Sequence, residues 1–400
     1  MRFPEFHGEW EKCKVSDLLD FYSTNSLSWD QLEYRTDNLL NLHYGLIHVG
    51  LPTMVDLSKD ILPAIKKGNE PKNFEFCKEG DIAFADASED TNEVAKAIEF
   101  YTLEDKAVVC GLHTIHGRDK SNKTVVGYKG YAFSSTAFHH QIRRIAQGTK
   151  IYSISAKNFD ECYIGIPSKE EQTKIAKLLR LIDERIATQS KLIEKFESLI
   201  KGINQRVFMN SGNNYKLGEI CEIRSGYSGS QLLSKKGLKV SRIETISGHK
   251  VNMERVGYVA PFESSENYRL RVGDILFSNI NSVEYIGNTA FIDKDYDLYH
   301  GMNLLRLTPN HMVVIPFYLY LLLNTNRMLN RFKAVCNKAV SQASINQTEL
   351  GKTVVQIPPI NTQEQICELY QALYTKLETE RHTKSLFQNQ KQYMLRQMFI

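Results

Sequence analysis

One stretch of this chain occurs twice, and both copies have the periodicity of a long helix. The first copy spans residues 166–208 and the second spans residues 357–399. An offset of 191 residues superposes them without a gap, so that Gln172 falls on Gln363. A repeat of this length indicates a duplicated module and not a solenoid.

Apolar residues in both copies follow alternating steps of four and three, which is the heptad seam of a coiled coil. The first seam covers about 40 residues, or roughly 60 Å of helix. The second is poorer, because Glu380, Lys384 and Lys391 occupy seam positions. Gln189 and Glu380 are equivalent under the offset, which predicts a polar layer that fixes register. The seam residues are Ile175, Leu179, Ile182, Ile186, Ile193, Phe196, Ile200 and Ile203 in the first copy, and Ile366, Leu373, Leu377 and Phe387 in the second.

Neither helix can bury such a stripe by itself, so each needs a partner surface. Two helices of equal length in one chain indicate that they pair with each other. The alternative is two unrelated coiled-coil arms, and the matched length and gapless offset argue against it.

Composition limits the class of protein. Four hundred residues with 42% hydrophobic content suit two or three domains with real cores. The net charge of +4 is compatible with nucleic acid as a partner. Seven scattered cysteines without a Cys-x-x-Cys pair predict free thiols and a cytoplasmic location. We expect no signal peptide and no membrane span, because the longest apolar run, residues 313–323, is short and contains Pro316.

The chain alternates globular blocks with long helices, which predicts a mixed α/β (α+β) fold with an internal repeat. We place the first block at residues 1–165, the first helix at 166–210, the second block at 211–356 and the second helix at 357–400. A polar, flexible linker is predicted at 210–214.

Shorter elements within the blocks also have readable signals. Gly-Asp-Ile-x-Phe occurs at Gly80 and again at Gly273, and each copy predicts a turn followed by a strand. Residues 123–128 are predicted to form another strand. Helices are predicted over Ser135–Gln147 and Pro316–Phe332.

Several short motifs, in this order and with the half-repeat, resemble the DNA-specificity subunits of type I restriction–modification systems. They are Gly8-Glu-Trp10, Gly80-Asp-Ile82, Ala85-Asp-Ala-Ser88, Gly111-Leu-His-Thr-Ile115, Ala146-Gln-Gly-Thr149 and the Ile-Pro…Gln…Ile starts of the two long helices. The resemblance covers the whole chain.

The resemblance implies that each block is a target recognition domain that reads one half of a split site on double-stranded DNA. It implies that the two long helices pack antiparallel and set the spacing between the blocks. It further implies two methyltransferase subunits and restriction–translocase subunits as partners. S-adenosylmethionine, ATP and magnesium are then expected in those partner subunits, and no cofactor is expected in this chain.

The sequence lacks the motifs of an enzyme that acts on DNA by itself. An adenine methyltransferase needs a Pro-Pro-Tyr-type motif and a glycine-rich cofactor loop. Pro358-Pro359 is followed by Ile360, and no Gly-x-x-x-x-Gly-Lys sequence occurs. Glu104-Asp-Lys106 superficially resembles a nuclease metal site, but exposed turn charges are the simpler interpretation. We therefore predict a non-catalytic subunit.

Cys110-x-x-His113-x-x-His116 has the spacing of a zinc site. No fourth ligand lies nearby in sequence, and three ligands so close together would crowd a strand. We therefore predict no metal site here. Polar groups on a DNA-facing loop, or satisfied core groups, are the favoured interpretation.

Clusters of basic and amide side chains are the predicted DNA contacts. Lysines hold phosphates, whereas arginine, asparagine and glutamine can pair with base edges. The predicted residues are Arg118, Lys123, Lys129, Arg143, Arg144 and Lys150 in the first block, and Arg224, Tyr227, Lys239, Arg242, Lys338, Ser341 and Gln342 in the second.

The sequence thus predicts a DNA-recognition and assembly subunit. Two alternatives stay open at this point. One is an enzyme with its own methyltransferase or nuclease activity, and the other is a coiled-coil scaffold without a DNA function.

Overall fold

The computed structural model describes residues 1–34, 39–208, 212–338 and 342–399. The chain forms two compact units, one made of residues 1–191 with 381–400 and the other of residues 192–380. The helices are α1 (Val15–Leu18), α2 (Tyr44–His48), α3 (Lys129–Phe133), α4 (Thr136–Ile145), α5 (Lys169–Val207), α6 (Leu217–Ile220), α7 (Pro316–Leu323), α8 (Asn326–Val335), α9 (Gln347–Gly351) and α10 (Ile360–Gln397). No described helix is both long and apolar enough to span a bilayer.

The strands divide between the two units. The first unit contains β1 (Glu11–Lys14), β2 (Leu19–Tyr22), β3 (Leu32–Glu33), β4 (Leu40–Leu42), β5 (Met54–Asp56), β6 (Ala64–Ile65), β7 (Ile82–Ala85), β8 (Ala87–Ser88), β9 (Ala97–Thr102), β10 (Val108–Cys110), β11 (Thr114–Asp119), β12 (Tyr152–Ser153) and β13 (Tyr163–Ile166). The second contains β14 (Asn213–Lys216), β15 (Cys221–Ser225), β16 (Leu238–Val240), β17 (Gly257–Val259), β18 (Ile275–Ser278), β19 (Ile280–Asn281), β20 (Thr289–Phe291), β21 (Leu304–Pro309), β22 (Asn337–Lys338), β23 (Ala343–Ser344) and β24 (Val354–Ile357).

A five-stranded sheet with the order β2-β11-β7-β9-β5 forms the centre of the first unit. Its central strand β7 is buried along its whole length and follows the turn at Gly80, as the Gly-Asp-Ile motif predicts. A four-stranded sheet, β10-β4-β6-β3, lies in the same unit. One hydrophobic core includes Phe84 of β7 and Phe138 of α4, and a second includes Ala83 of β7 and Cys110 of β10. The two faces of β7 therefore belong to different cores.

A four-stranded sheet, β15-β21-β18-β20, forms the centre of the second unit. Strand β18 is buried throughout and follows the turn at Gly273, as predicted. Helices α7 and α8 pack on this sheet, and Phe277 and Phe332 meet edge to face with ring centroids 5.0 Å apart. The core of this unit also takes in Ile200 of α5 and Ile366 of α10.

Each long helix is fastened to its own block by one buried glutamine. Gln172 donates from Nε2 to the carbonyls of Pro167, at 2.9 Å, and Lys123, at 3.0 Å, and it accepts from the amide of Val125 at 2.9 Å. Gln363 makes the corresponding bonds to Pro358, at 2.8 Å, Val313, at 3.1 Å, and the amide of Ile315, at 2.8 Å. Both side chains are fully buried. The glutamine that the repeat superposes is therefore a clamp in both units.

Within each unit, α5 and α10 pack antiparallel. In the first unit, the carboxylate of Asp183 lies 2.7 Å from Nζ of Lys391. In the second unit, the hydroxyl of Tyr370 donates to Asn204. Among the predicted seam residues, the buried ones are Ile175, Leu179, Ile182, Ile200, Ile366 and Leu377, and the half-buried ones are Ile186, Ile193, Phe196, Ile203, Leu373 and Phe387.

The polar residues of the two seams are buried or half-buried. Gln189 and Glu380 are both buried. The polar layer itself stays a prediction. Lys391, which weakens the second seam in sequence, pairs with Asp183 and lies over the ring of Tyr131, 5.6 Å from its centroid.

Two local predictions were wrong, and a third was wrong in the part that the structure describes. Residues 123–128 form a loop, because the amides of Val125 and Gly127 donate to Gln172 and Glu99 instead of to a neighbouring strand. The helix over residues 316–332 is two helices, because the side chain of Thr325 caps a new one by accepting from the amide of Met328. The predicted linker lies outside the described residues at 210–211, and residues 213–214 belong to β14, which pairs with β24.

Candidate nucleic-acid interface

Two short amphipathic helices, α4 and α8, occupy corresponding places in the two units. Ser135 caps α4 by accepting from the amide of Phe138, just as Thr325 caps α8. Each helix buries one apolar face, with Phe138 in α4 and Phe332 in α8 fully buried. Their opposite faces are polar and exposed.

After each of these helices the chain folds back onto the strand that follows the central strand. In the first unit β12 pairs with β8, and the amide of Ile154 donates to the carbonyl of Asp86 at 2.9 Å. In the second unit β23 pairs with β19, and the amide of Ile345 donates to the carbonyl of Asn279 at 2.9 Å. We call residues 146–153 loop L1 and the described residues of 336–344 loop L2.

Both loops expose the same two kinds of side chain. L1 carries exposed Gln147 and Lys150, and L2 carries exposed Lys338 and Gln342. A lysine can neutralise a phosphate, and a glutamine can pair with both edge groups of adenine in the major groove. Ser341, also predicted as a contact, lies outside the described residues. The sequence analysis did not predict Gln147 as a contact, and it did not reveal the equivalence of the two loops.

Arginines at the end of α4 lie beside L1 in the chain. Arg143 is exposed and donates to Oδ1 of Asn92 at 2.8 Å. Arg144 is also exposed. Lys123, by contrast, forms an ion pair with Glu11 on β1.

Two predicted contacts of the first block are structural residues instead. Lys129 is buried, with its Nζ donating to Thr124 at 2.8 Å and lying 3.3 Å from the carboxylate of Glu99. The prediction that Lys129 contacts DNA is therefore corrected, because its ammonium group does not reach the surface. Burial raises the pKa of Glu99, and the charge of Lys129 partly offsets that effect.

Arg118 also forms its hydrogen bonds with other residues of the first unit. Its guanidinium donates twice to Asp81, at 2.9 and 2.8 Å, and also to Glu75 and to the carbonyl of Phe76, each at 2.7 Å. Burial alone would raise the pKa of Asp81, but the hydrogen bonds from His116 and Arg118 outweigh it and lower that pKa. With four bonds already made, Arg118 is not poised to pair with a base.

The predicted residues of the second block are spread over several elements. Arg224 is exposed and pairs with Glu222, and Arg242 is exposed with its Nε 3.4 Å from Glu244. Lys239 is half-buried in β16. Tyr227 stacks on the ring of Phe262, with centroids 3.9 Å apart and planes 7° from parallel. Tyr227 is therefore part of an aromatic cluster and not a free stacking platform.

A polar recess in the second unit contains an arginine that the sequence reasoning missed. The recess has a volume of about 470 Å³ and is lined by Arg224, Asn267, Arg306 and Gln347, among others. Arg306 is buried, and its guanidinium donates to the carbonyls of Arg269, at 3.1 Å, and Asn267, at 3.2 Å. No carboxylate forms an ion pair with it within the described ranges. A buried cation without a counter-ion favours an anionic ligand such as a phosphate.

Comparison with known proteins places these features in a family. The sequence model described as "Type I restriction modification DNA specificity domain" matches residues 57–198 and again residues 211–386, which is more than half of the chain. A putative type I restriction enzyme MjaX specificity subunit from Methanocaldococcus jannaschii is 38% identical over 188 residues, or 46% of this chain and 44% of that protein. The EcoKI specificity subunit of Escherichia coli is 24% identical over 279 residues, or 63% of this chain and 59% of that protein. The matches thus span less than two thirds of either relative.

Solved structures share the fold over nearly the whole chain. The S subunit of a type I restriction–modification system from M. genitalium matches with a TM-score of 0.58 and 16% identity, covering 100% of this chain and 99% of that chain. A chain from a study of the assembly and conformational transition of the type I system matches with a TM-score of 0.63 and 16% identity, covering 98% and 97%. The fold and the twice-matched sequence pattern agree, and the chain belongs to the family of type I restriction–modification DNA-specificity domains.

Proposed function

We propose that this chain is the DNA-recognition subunit of a type I restriction–modification complex, in which each unit reads one half of a split target. The observation that carries the proposal is the duplication: the family pattern occurs once in each unit, and each unit presents an exposed lysine and glutamine on an equivalent loop. L1 and L2 then take part in readout, with Lys150 and Lys338 on phosphates and Gln147 and Gln342 toward base edges.

We propose further that the chain has no catalytic role and assembles with other subunits. Two methyltransferase subunits and restriction–translocase subunits are the expected partners, and they would carry S-adenosylmethionine, ATP and magnesium. The exposed faces of α5 and α10 are the surfaces we assign to assembly, because they are long and lie outside the block cores. The complex would act in the cytoplasm.

A domain exchange tests the split readout. The chain is co-expressed with its methyltransferase partner, residues 1–165 are replaced by those of another family member, and the modified sites are mapped by sequencing that reports methyladenine. One half of the target should change while the other stays the same. The matched control replaces residues 211–356 and should change the opposite half. Alteration of both halves by either exchange would contradict the proposal.

Two further measurements separate the alternatives. The purified chain with DNA and a labelled methyl donor should give background incorporation, and clear incorporation would favour an enzyme. The assembled complex should bind DNA with an affinity that falls steeply with salt. Complexes that form normally but show no salt-dependent DNA binding would favour a scaffold.

A further inference from the structure

Three buried side chains of the first unit form a cluster that no DNA-binding role explains. Cys77 precedes β7, Cys110 ends β10 and His116 lies in β11, and each is at most 6% exposed. One ligand atom from each of the three lies within 4.8 Å of the other two. The two sulfurs are 3.6 Å apart. In a tetrahedral site with zinc–sulfur bonds of about 2.3 Å, two thiolate sulfurs are separated by about 3.8 Å.

The imidazole of His116 has one ring nitrogen bound to a carboxylate and one available to a ligand. Its Nε2 lies 2.8 Å from the carboxylate of Asp81, which leaves Nδ1 as the free ring nitrogen. Nδ1 is buried and has no hydrogen-bond partner among the described residues. A buried polar atom without a partner costs free energy, which a ligand would recover. A carboxylate on the far nitrogen of a histidine is the usual outer support of a metal site, since it fixes the ring and raises its basicity.

We propose that Cys77, Cys110 and His116 bind one zinc ion. Two thiolates and one imidazole are a donor set that selects a thiophilic cation. In a tetrahedral site the imidazole nitrogen would lie about 3.5 Å from each sulfur, so it would move inward by about 1.3 Å at most from its present position. A water molecule would complete the coordination shell. Binding displaces the two thiol protons, so the site takes up the ion as the thiols ionise.

The ion would join two sheets of the first unit. Cys110 lies in the four-stranded sheet, whereas His116 lies in the five-stranded sheet. Asp81 extends the link to Arg118, whose guanidinium it binds twice. The second unit lacks the histidine at the equivalent described position, because strand pairing puts Arg306 of β21 at the place of His116.

The sequence pattern pointed to the wrong third ligand. His113, at the middle of the zinc-like spacing, is exposed with φ +55°, and its Nδ1 lies 3.1 Å from Asp86. Cys77, which lies 33 residues before Cys110 in the chain, takes the place of His113 in the proposed ligand set. We predicted no metal site because no fourth ligand lies close in sequence. The fold places Cys77, which is distant in sequence, beside Cys110.

Metal analysis of the intact chain tests the site. The protein is purified under reducing conditions without chelators from zinc-supplemented cells, and we expect about one zinc per chain. Replacement of zinc by cobalt should give the visible bands of a tetrahedral ion and a sulfur-to-cobalt charge-transfer band. Zinc-free protein with no cobalt spectrum would overturn the proposal, as would a native disulfide between Cys77 and Cys110.

Variants with matched controls locate the ion. Cys110→Ser and His116→Gln should lose the metal and the cobalt spectrum. Cys162→Ser removes another buried thiol of the same unit and should keep both. His139→Gln removes another histidine whose buried Nδ1 lacks a partner, and it should also keep both. Equal metal content in all four variants would contradict the assignment. Circular dichroism will show whether Cys110→Ser and His116→Gln are folded. If either variant is unfolded, the presence or absence of the cobalt spectrum in the unmodified chain tests the proposal.

Discussion

Strands β2, β11, β7 and β9 of the first unit are hydrogen-bonded in the same order as β15, β21, β18 and β20 of the second. In each unit, the aspartate directly before the buried strand β7 or β18 accepts a hydrogen bond from the backbone of the turn that precedes it. Asp81 accepts from the amide of Lys78 at 2.8 Å, and Asp274 accepts from the amide of Arg271 at 2.9 Å. These shared contacts join residues that lie close together in the chain.

The contacts that these carboxylates make with the next strand differ. Asp81 binds His116 and Arg118 of β11, whereas Asp274 accepts from the hydroxyl of Thr308 in β21 at 2.6 Å. Strand pairing places Thr308 where Arg118 stands in the first unit. One backbone frame thus supports an ion network in one unit and a single hydrogen bond from a hydroxyl to a carboxylate in the other. The shared strand order thus determines where L1 and L2 leave the two sheets, whereas the side chains around the strands differ between the units.

Breaking the shared clamps should have the largest effect. Gln172→Leu leaves two carbonyls and one amide unsatisfied in the first unit, and Gln363→Leu does the same in the second. Each buried group that loses its partner costs about 1–3 kcal/mol, so we expect local losses of at least about 3 kcal/mol. Hydrogen exchange should show faster exchange in β7 for the first variant and in β18 for the second.

A third variant controls for the loss of a glutamine from a long helix. Gln205 is exposed on α5, and Gln205→Leu should leave exchange in both strands unchanged. Equal protection of β7 in Gln172→Leu and in the unmodified chain would show that the clamp does not stabilise the unit.

The readout glutamines should distinguish the two units. Gln147→Ala should relax base preference in the half-site read by the first unit, and Gln342→Ala should do so in the other half-site. A well-placed pair of hydrogen bonds to a base contributes about 1–3 kcal/mol of discrimination. Methyladenine mapping of complexes that contain each variant measures the change.

A glutamine outside both loops provides the control. Gln392 is exposed on α10, and Gln392→Ala should leave the modified sequence as it was. If Gln147→Ala altered both half-sites equally, L1 and L2 would not belong to separate readers.

The sequence predicted the elements that depend on local pattern. Helices α5 and α10 follow from heptad spacing, the buried strands after Gly80 and Gly273 follow from turn residues, and the short helix after Ser135 was also predicted. Features that depend on distant partners were missed. Arg118 and Lys129 have the residue types of DNA contacts, but Asp81 and Glu99, more than 25 residues away in sequence, hold them inside the fold. The break at Thr325 was a local signal, a capping threonine, that the long apolar run obscured.

Acidification should destabilise the second unit through one buried histidine. Burial lowers the pKa of His300 to about 4, against about 6.5 in an unfolded chain. The folded state therefore favours the neutral imidazole. The contribution of neutral His300 to the free energy of unfolding is complete above pH 6.5 and is lost as the pH falls toward 4. At pH 5 the loss should be about 2 kcal/mol. Hydrogen exchange in β21 at pH 7.5 and pH 5 measures it after correction for the intrinsic exchange rate.

Two histidine variants sharpen this measurement. His300→Gln keeps a donor for the carbonyl of Leu304, which His300 contacts at 2.9 Å, and should abolish most of the dependence. His382→Gln removes an exposed histidine of α10 and should retain it. The same loss at pH 5 in His300→Gln as in the unmodified chain would assign the effect to another group.

The smallest effects are expected from the loop lysines, and here the two units should behave alike. Lys150 and Lys338 are both exposed, and neither forms an ion pair within the described ranges. A lysine that neutralises one phosphate releases about one counterion on binding, so each replacement by alanine should lower the slope of log affinity against log salt by roughly 1. Affinity should fall a few-fold for every DNA sequence, because phosphates carry no base identity. Titration of the assembled complex over a salt series measures both quantities. Lys72→Ala makes the same charge change at an exposed position outside both loops and both long helices, and it should leave the slope unchanged. A variant whose slope was unchanged would place its loop away from the DNA backbone, and a variant that altered the modified sequence would make its lysine a reader of bases.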